Sequence, residues 1–330
     1  MEDRALSRMN RVVVAIDFSE PSIHAASWVA GQFAHGVELV LVHVLERPPM
    51  PRFLAKRYPS TEQIVDAARS GAEARLRSLV ERIATALVWP EVRVGRTDEE
   101  VVRVAAEYDA DLIVVGRADL NPNGWGRIGT TAQRILRRSH LPIVVVAGAA
   151  AREAAPPPAH VLAGIDDSDM TARVLGWAAF LADRFQAEAT VLHVLTPPIL
   201  HAASALPGVL SAPDAPAWGH VSEDDAAATT EARQWLEERV RDAAPAARLT
   251  PLIVSGVARP AEAIIEAARD RDGAMIVIGS RGAGVADRLL FGSVAEAVLR
   301  DAPFPVLVVV PGSRTIPSID RSALAASSTD

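Results

Sequence analysis

Ala274-Met275-Ile276-Val277-Ile278-Gly279-Ser280-Arg281-Gly282, followed after nine residues by Gly292-Ser293-Val294-Ala295-Glu296-Ala297-Val298-Leu299, decides the reading of this chain. The five apolar residues before Gly279 form a short run of the kind found in buried strands, and those after Ser293 recur at helical spacing. Strand, glycine loop and helix in that order make a phosphate cradle: glycines let the backbone approach a ligand closely, and the unpaired N–H groups opening the helix suit an anion. A turn-and-cap role for the same glycines and Ser293 is the plain alternative.

The ladder occurs twice. Gly116, Asp119, Gly129 and Thr130 lie 163 positions before Gly279, Gly282, Gly292 and Ser293, with Asp119 in place of the middle glycine. The same offset carries Pro142-Ile143-Val144-Val145-Val146 onto Pro305-Val306-Leu307-Val308-Val309. Near the start of each half, Val14-Ala15-Ile16-Asp17-Phe18-Ser19 matches Ala163-Gly164-Ile165-Asp166-Asp167-Ser168, Trp28 matches Trp177, and His43-Val44 matches His193-Val194. One duplicated unit accounts for these matches, with extra residues between its middle elements.

These residues resemble the universal stress protein family in its tandem two-domain form, and G-x2-G-x9-G-[ST] with an Asp closing the first strand is the signature of that family's ATP-binding branch. The resemblance implies an α/β fold of two Rossmann-like, doubly wound domains, each with a five-stranded parallel sheet of order 3-2-1-4-5. It places Asp166 at the adenosine end of the pocket and Val194 against adenine through its backbone. The implied nucleotide ligands are Asp166, Val194, Gly279, Arg281, Gly282, Gly292, Ser293 and Val294 in the second half, and Asp17, Val44, Gly116, Gly129 and Thr130 in the first. ATP is the implied ligand, with or without Mg2+.

Composition excludes several alternatives. The chain has 330 residues, enough for two domains with cores of their own. It has no cysteine, so disulfides, thiol nucleophiles and cysteine-ligated metals are ruled out. Lys56 is the sole lysine, which removes the P-loop and kinase-type lysine schemes. A net charge of −7 disfavours nucleic acid. The sequence shows neither a leader-like apolar run after Met1 nor an apolar stretch of membrane-spanning length, so a cytoplasmic protein is expected.

Strand-like runs fall at 11–16, 37–44, 91–95, 111–115 and 143–147, and again at 161–165, 189–194, 249–255, 274–278 and 306–310. Helical spacing fills 20–34, 61–87, 98–108 and 130–139, then 171–185, 223–243, 260–269 and 293–300. This alternation calls for mostly parallel sheets covered on both faces. The expected domains are 1–148 and 160–312, joined by an Ala- and Pro-rich linker at 149–159 and followed by a disordered tail at 313–330. The Pro- and Ala-rich stretch 196–220 reads as a lid or an insertion.

In a doubly wound sheet a ligand sits beyond the carboxyl ends of the strands, where the strand order reverses. Asp166 closing the first strand and Gly279 closing the fourth would therefore meet at one crevice. Arg281 and Arg288 flank the cradle, either to neutralise phosphate or as plain surface arginines. Asp167 and Ser168 suit turn and cap roles, His43 and His193 structural strand roles, and Trp28 and Trp177 the core. In the first half, Asp119 opposes a polyanion by about 4 kcal/mol at about 4 Å and an effective dielectric near 20, unless it serves to hold magnesium. Asn121-Pro122-Asn123-Gly124-Trp125-Gly126 also departs from the simpler second-half loop. That site is expected to be weak or empty.

Three functions follow as expectations. The first is an ATP-dependent stress sensor or regulatory switch, the second a slow ATPase or phosphoryl-transfer enzyme, and the third an interaction module indifferent to nucleotide. A protein partner and assembly as a homodimer or an intramolecular pseudo-dimer, paired through the last strands, belong to the same reading.

Overall fold

The computed structural model describes residues 9–33, 36–47, 61–83, 87–117, 129–147, 156–196, 223–244, 247–255, 259–282 and 291–313. The first half of the sequence gives β1 (Arg11–Ala15), α1 (Glu20–Phe33), β2 (Glu38–Leu45), α2 (Thr61–Arg82), β3 (Leu87–Val94), α3 (Thr97–Glu107), β4 (Leu112–Arg117), α4 (Thr130–Arg138) and β5 (Ile143–Ala147). The second gives β6 (His160–Ile165), α5 (Thr171–Phe185), β7 (Glu188–Leu195), α6 (Glu223–Ala243), β8 (Leu249–Ser255), α7 (Pro260–Arg269), β9 (Ala274–Gly279), α8 (Ser293–Asp301) and β10 (Val306–Val309). The fold is α/β with parallel pairing dominant.

The chain packs as two units, one of Met1–Pro157 with Leu299–Arg314, the other containing Pro158–Val298. In the first unit β3, β2, β1, β4 and β5 pair in parallel in that order, and β10 adds antiparallel to β5, Val306 opposite Val145 and Val308 opposite Ile143. Val13 lies between Val40 and Ile113, and all three are fully buried. Burying each such side chain contributes about 1.5–3 kcal/mol, which is why the central strands read as unbroken apolar runs. In the second unit β8, β7, β6 and β9 pair in parallel. Trp28 and Trp177 are core residues, packed edge-on against Phe33 and Phe180 respectively.

Element boundaries agree with the apolar pattern except around α2 and β3. The helix ends at Arg82 rather than Leu87, and the strand begins at Leu87 rather than Glu91. Leu87 and Trp89 are exposed, so the start of β3 lacks the burial that periodicity detects, and Pro90, which has no N–H, is tolerated at a sheet edge. Ser313, read from the sequence as the first residue of the tail, belongs to the described structure. Ser313 is buried, its hydroxyl accepting from the Val310 N–H at 3.1 Å and its own N–H donating to the Val310 carbonyl at 3.0 Å. Residues 314–330, most of the linker (148–155), Asp119 with the 121–126 stretch, the 197–220 stretch and Arg288 lie outside the described residues.

Two local contacts fix how elements enter these sheets. A Cβ built on Gly116 in β4 would fall 2.3 Å from the Pro21 carbonyl oxygen and 2.7 Å from the Ser22 nitrogen, so α1 rests directly on the β4 backbone. Arg117 follows, and it is buried. Its Nη1 donates to the carbonyls of Leu299 at 2.5 Å and Arg300 at 2.7 Å, and its Nη2 donates to the carbonyl of Ala302. The first two oxygens belong to the last turn of α8 and the third to the residue after it, where carbonyls lack intrahelical donors and the helix dipole is negative.

Two stability predictions follow. Gly116→Ala forces a methyl group against rigid backbone and lowers stability by about 1–3 kcal/mol, whereas Gly129→Ser, at a helix N-cap with nothing within 4 Å among the described residues, leaves it within about 0.5 kcal/mol; chemical denaturation of both variants checks this. His160 at the start of β6 is buried, with Nε2 3.0 Å from the Thr190 hydroxyl. Burial, then the Arg271 charge, lower its pKa below the ordinary 6.5, partly opposed by Glu188. A depressed histidine pKa favours the neutral folded form, so its stability contribution is complete above about pH 6.5 and is lost as pH falls through the folded value. Thermal melts from about pH 7 down to about pH 5 are expected to decline less for His160→Gln than for the unmodified chain.

Candidate functional site

The second unit brings its two motifs together at the sheet's point of reversal, between β6 and β9. These strands are in register with Gly164 beside Ile278, so Asp166 and Ser280 leave the sheet as neighbours. A Cβ on Gly282 would lie 2.5 Å from Asp166 Oδ2, so the carboxylate stands against the bare backbone of Gly282. The Gly292 N–H donates to the Ser280 carbonyl at 2.9 Å, and a Cβ on Gly292 would be 3.4 Å from Arg281 Cα. At Gly279 the corresponding atom would come within 3.1 Å of Met170 Cβ and 3.2 Å of the Arg281 carbonyl. The turn from Gly279 to Gly282 is thus folded onto Gly292, the residue before α8, in space that side chains would fill.

At the mouth of α8 the first intrahelical bond runs from the Glu296 N–H to the Gly292 carbonyl at 2.9 Å. The amides of Ser293, Val294 and Ala295 precede it and have no intrahelical acceptor, and they carry the positive end of the helix dipole. Ser293 is exposed and Val294 half-buried. Arg281 is also half-buried, and its Nε is buried without a hydrogen-bond partner among the described residues. Val194 is half-buried one residue before the end of β7. Glycine backbone, helix amides and a guanidinium on one side suit an anion, while the Asp166 carboxylate on the other suits a hydrogen-bond donor.

The first unit builds its counterpart differently. Asp17 Oδ1 accepts from the Ser19 N–H at 2.9 Å and from the Ser19 hydroxyl at 2.5 Å, while the Asp17 N–H donates to the Ser22 hydroxyl at 3.3 Å. Partial desolvation of this carboxyl raises its pKa, but the hydrogen bonds from Ser19 and Ser22 outweigh it and hold the pKa below the usual 3.8. Asp17 therefore shapes the turn into α1. Gly116 is a glycine because Pro21 covers it, a packing cause sufficient without any ligand. Gly129 and Thr130 at the start of α4 are exposed, and among the described residues no atom crowds Gly129. Val44 is half-buried near the end of β2.

The histidines have the structural roles expected of them, His43 Nδ1 lying 2.7 Å from the Ile16 carbonyl and His193 Nδ1 3.0 Å from that of Ile165. Ser168 accepts from the Met170 N–H at 3.3 Å, and Asp167 faces Arg239 at 3.5 Å. Sequence reasoning missed Ser280, whose carbonyl closes the cradle, and Arg117, its counterpart in the first ladder. The 163-residue offset itself carried the signal, since it sets a buried arginine where the other copy has serine. An open groove of about 650 Å³ between β8 and α7, lined by Leu252, Val254, Arg259 and Glu262 among others, includes none of the cradle residues.

Comparison with known proteins agrees with this duplication. The family model described as the universal stress protein family matches twice, over residues 9–147 and 159–310. A universal stress protein of Mycolicibacterium smegmatis is 27% identical over 317 residues, covering 91% of this chain and 97% of its own. One from Mycobacterium tuberculosis is 28% identical over 312 residues, covering 90% and 95%. A crystal structure of a universal stress protein from Archaeoglobus fulgidus superposes with a TM-score of 0.65 at 20% identity, over 92% of this chain and all of the other, a likeness of fold. With two copies of the family model spanning most of its length, this chain belongs to the universal stress protein family.

Proposed function

We propose that the second half binds ATP, with Mg2+ carried on the phosphates, and that the chain is a nucleotide-dependent regulator of a stress response rather than an efficient catalyst. The observation that carries this reading is the meeting of Asp166 with Gly282, in the same turn that is closed by the Gly292 to Ser280 hydrogen bond. Two sequence motifs separated by more than a hundred residues converge there, and a side chain at Gly282 would displace the acceptor at the other end. The G-x2-G-x9-G-S spacing of the ATP-binding branch supports adenosine triphosphate over other anions. Arg281 and the α8 amides supply charge to the phosphates without a lysine.

The same logic assigns unequal roles to the halves. Asp17 holds its own turn, and Gly116 has a packing duty, so the first half retains chiefly the N-terminus of α4 for a ligand. The antiparallel pairing of β5 with β10 supports last-strand pairing within one chain. In this reading ATP occupancy stabilises one arrangement of the cradle, and a partner responds to that arrangement.

Isothermal titration of the full chain with Mg-ATP tests the assignment. One equivalent is expected to bind, and Gly282→Glu is expected to raise Kd by at least about ten-fold, a loss of roughly 1.4 kcal/mol. Equal affinity of the two proteins, or no binding by the unmodified chain, contradicts the assignment. Chromatography of the bound nucleotide after prolonged incubation is expected to recover ATP intact, while its conversion to ADP, lost in Gly282→Glu, would instead establish the enzyme.

A further inference from the structure

Each half stacks an aromatic ring on its strand histidine and sets an arginine over that ring, but the ring comes from a different place. In the first half it is Phe18, in the turn after β1: its centroid lies 4.5 Å from that of His43, and the guanidinium carbon of Arg75 in α2 lies 3.9 Å from it. In the second half it is Trp235, on α6, 4.8 Å from His193 and 5.8 Å from the guanidinium carbon of Arg239. One step of the duplication carries Gly71, Ala72 and Arg75 of α2 onto Trp235, Leu236 and Arg239 of α6, and Ala72 and Leu236 are both buried. Gly71 thus stands where the second half carries its ring, and the exposed Asp167 stands where the first half carries Phe18.

The exchange alters the backbone beside the aspartate that ends each first strand. Phe18 has a φ of +63°, a left-handed conformation that a bulky side chain adopts only where its surroundings enforce it. Stacking on His43 and the cation over the ring supply that enforcement. Asp17, one residue earlier, turns its carboxylate onto Ser19. Asp167 has no positive φ, and its exposed ion pair with Arg239 at 3.5 Å is a weak restraint. Its neighbour Asp166 stands against Gly282 instead. We propose that the origin of the ring decides which half accepts nucleotide. Carried on the turn, as Phe18, the ring locks the aspartate onto that turn and closes the site; carried on the helix, as Trp235, it leaves the aspartate facing the glycine loop. Phe18 and Trp235 are then positioning residues, acting through Asp17 and Asp166, and their roles rest on the ATP reading of the second half.

Calorimetric titration of Mg-ATP into full-length Asp167→Phe/Trp235→Ala, which gives the second half the arrangement of the first, tests this at a temperature where circular dichroism shows the protein fully folded. Alanine suits the helix because a Cβ at Gly71, the matching position, meets nothing within 4 Å among the described residues, and it avoids a glycine in a helix interior. The exchange is expected to raise Kd at least about ten-fold. The ring-free control Asp167→Ala/Trp235→Ala is expected within about three-fold of the unmodified chain. Unchanged affinity in the exchange variant overturns the proposal, as does a loss of equal size in the ring-free control, which would place the effect on the residues removed rather than on the ring gained. Should the exchange variant fail to fold, the reciprocal Phe18→Ala/Gly71→Trp decides: released from Ser19, the Asp17 carboxyl is expected to titrate nearer the ordinary 3.8 in carbon NMR, and an unmoved titration overturns the proposal. If the unmodified chain binds no ATP, the cradle reading itself falls; if it binds and Gly282→Glu loses binding while the exchange variant binds normally, only the role of the ring falls.

Discussion

The approach of the Asp166 carboxylate to the backbone of Gly282 is the contact on which the site depends. It exists because β6 and β9 are adjacent and parallel, so that the residues leaving their carboxyl ends must share one crevice. The absence of a side chain at Gly282 is what allows the carboxylate to stand there. From that point the turn runs back through Ser280 to Gly292, and the helix amides follow at once. Position, charge and space at the cradle are thus all consequences of strand order and of two glycines.

The two halves show how one motif acquires different duties after duplication. The Asp166 carboxylate stands against the backbone of Gly282, and the carboxylate of Asp17 accepts from Ser19 in the turn into α1. Gly279 and Gly116 occupy the same step of the ladder, yet the first faces the Met170 side chain and the second the hard backbone of Pro21 and Ser22. Ser280 closes the cradle by its carbonyl, whereas Arg117 reaches the far end of α8. Asp17 and Gly116 thus have structural work that does not depend on any ligand.

Much of this was legible from residue order. Central strands such as β1, β4 and β9 are buried on both faces and read as apolar runs, and α5, α6 and α7 begin and end where their spacing starts and stops. β3 was read four residues short, since the exposed Leu87 and Trp89 carry no burial signal and Pro90 argues against a strand unless that strand lies at an edge. The cradle glycines were visible as a pattern, but the cause of each was not: a clash with Pro21 and a clash with Asp166 leave the same letter in the sequence. Arg117 was hidden for a similar reason, since its partners are main-chain carbonyls about 180 residues away, which no side-chain pattern marks.

The central claim is that main-chain amides of the second half, freed of side chains by glycine, hold the triphosphate. Amide hydrogen exchange followed by mass spectrometry, with and without saturating ATP, measures those amides directly. The account predicts slowed exchange concentrated in peptides spanning Gly279 to Glu296, with a much smaller change in peptides spanning Gly116 to Gln133. Protection absent from the peptides spanning Gly279 to Glu296, or confined to those spanning Gly116 to Gln133, would contradict it.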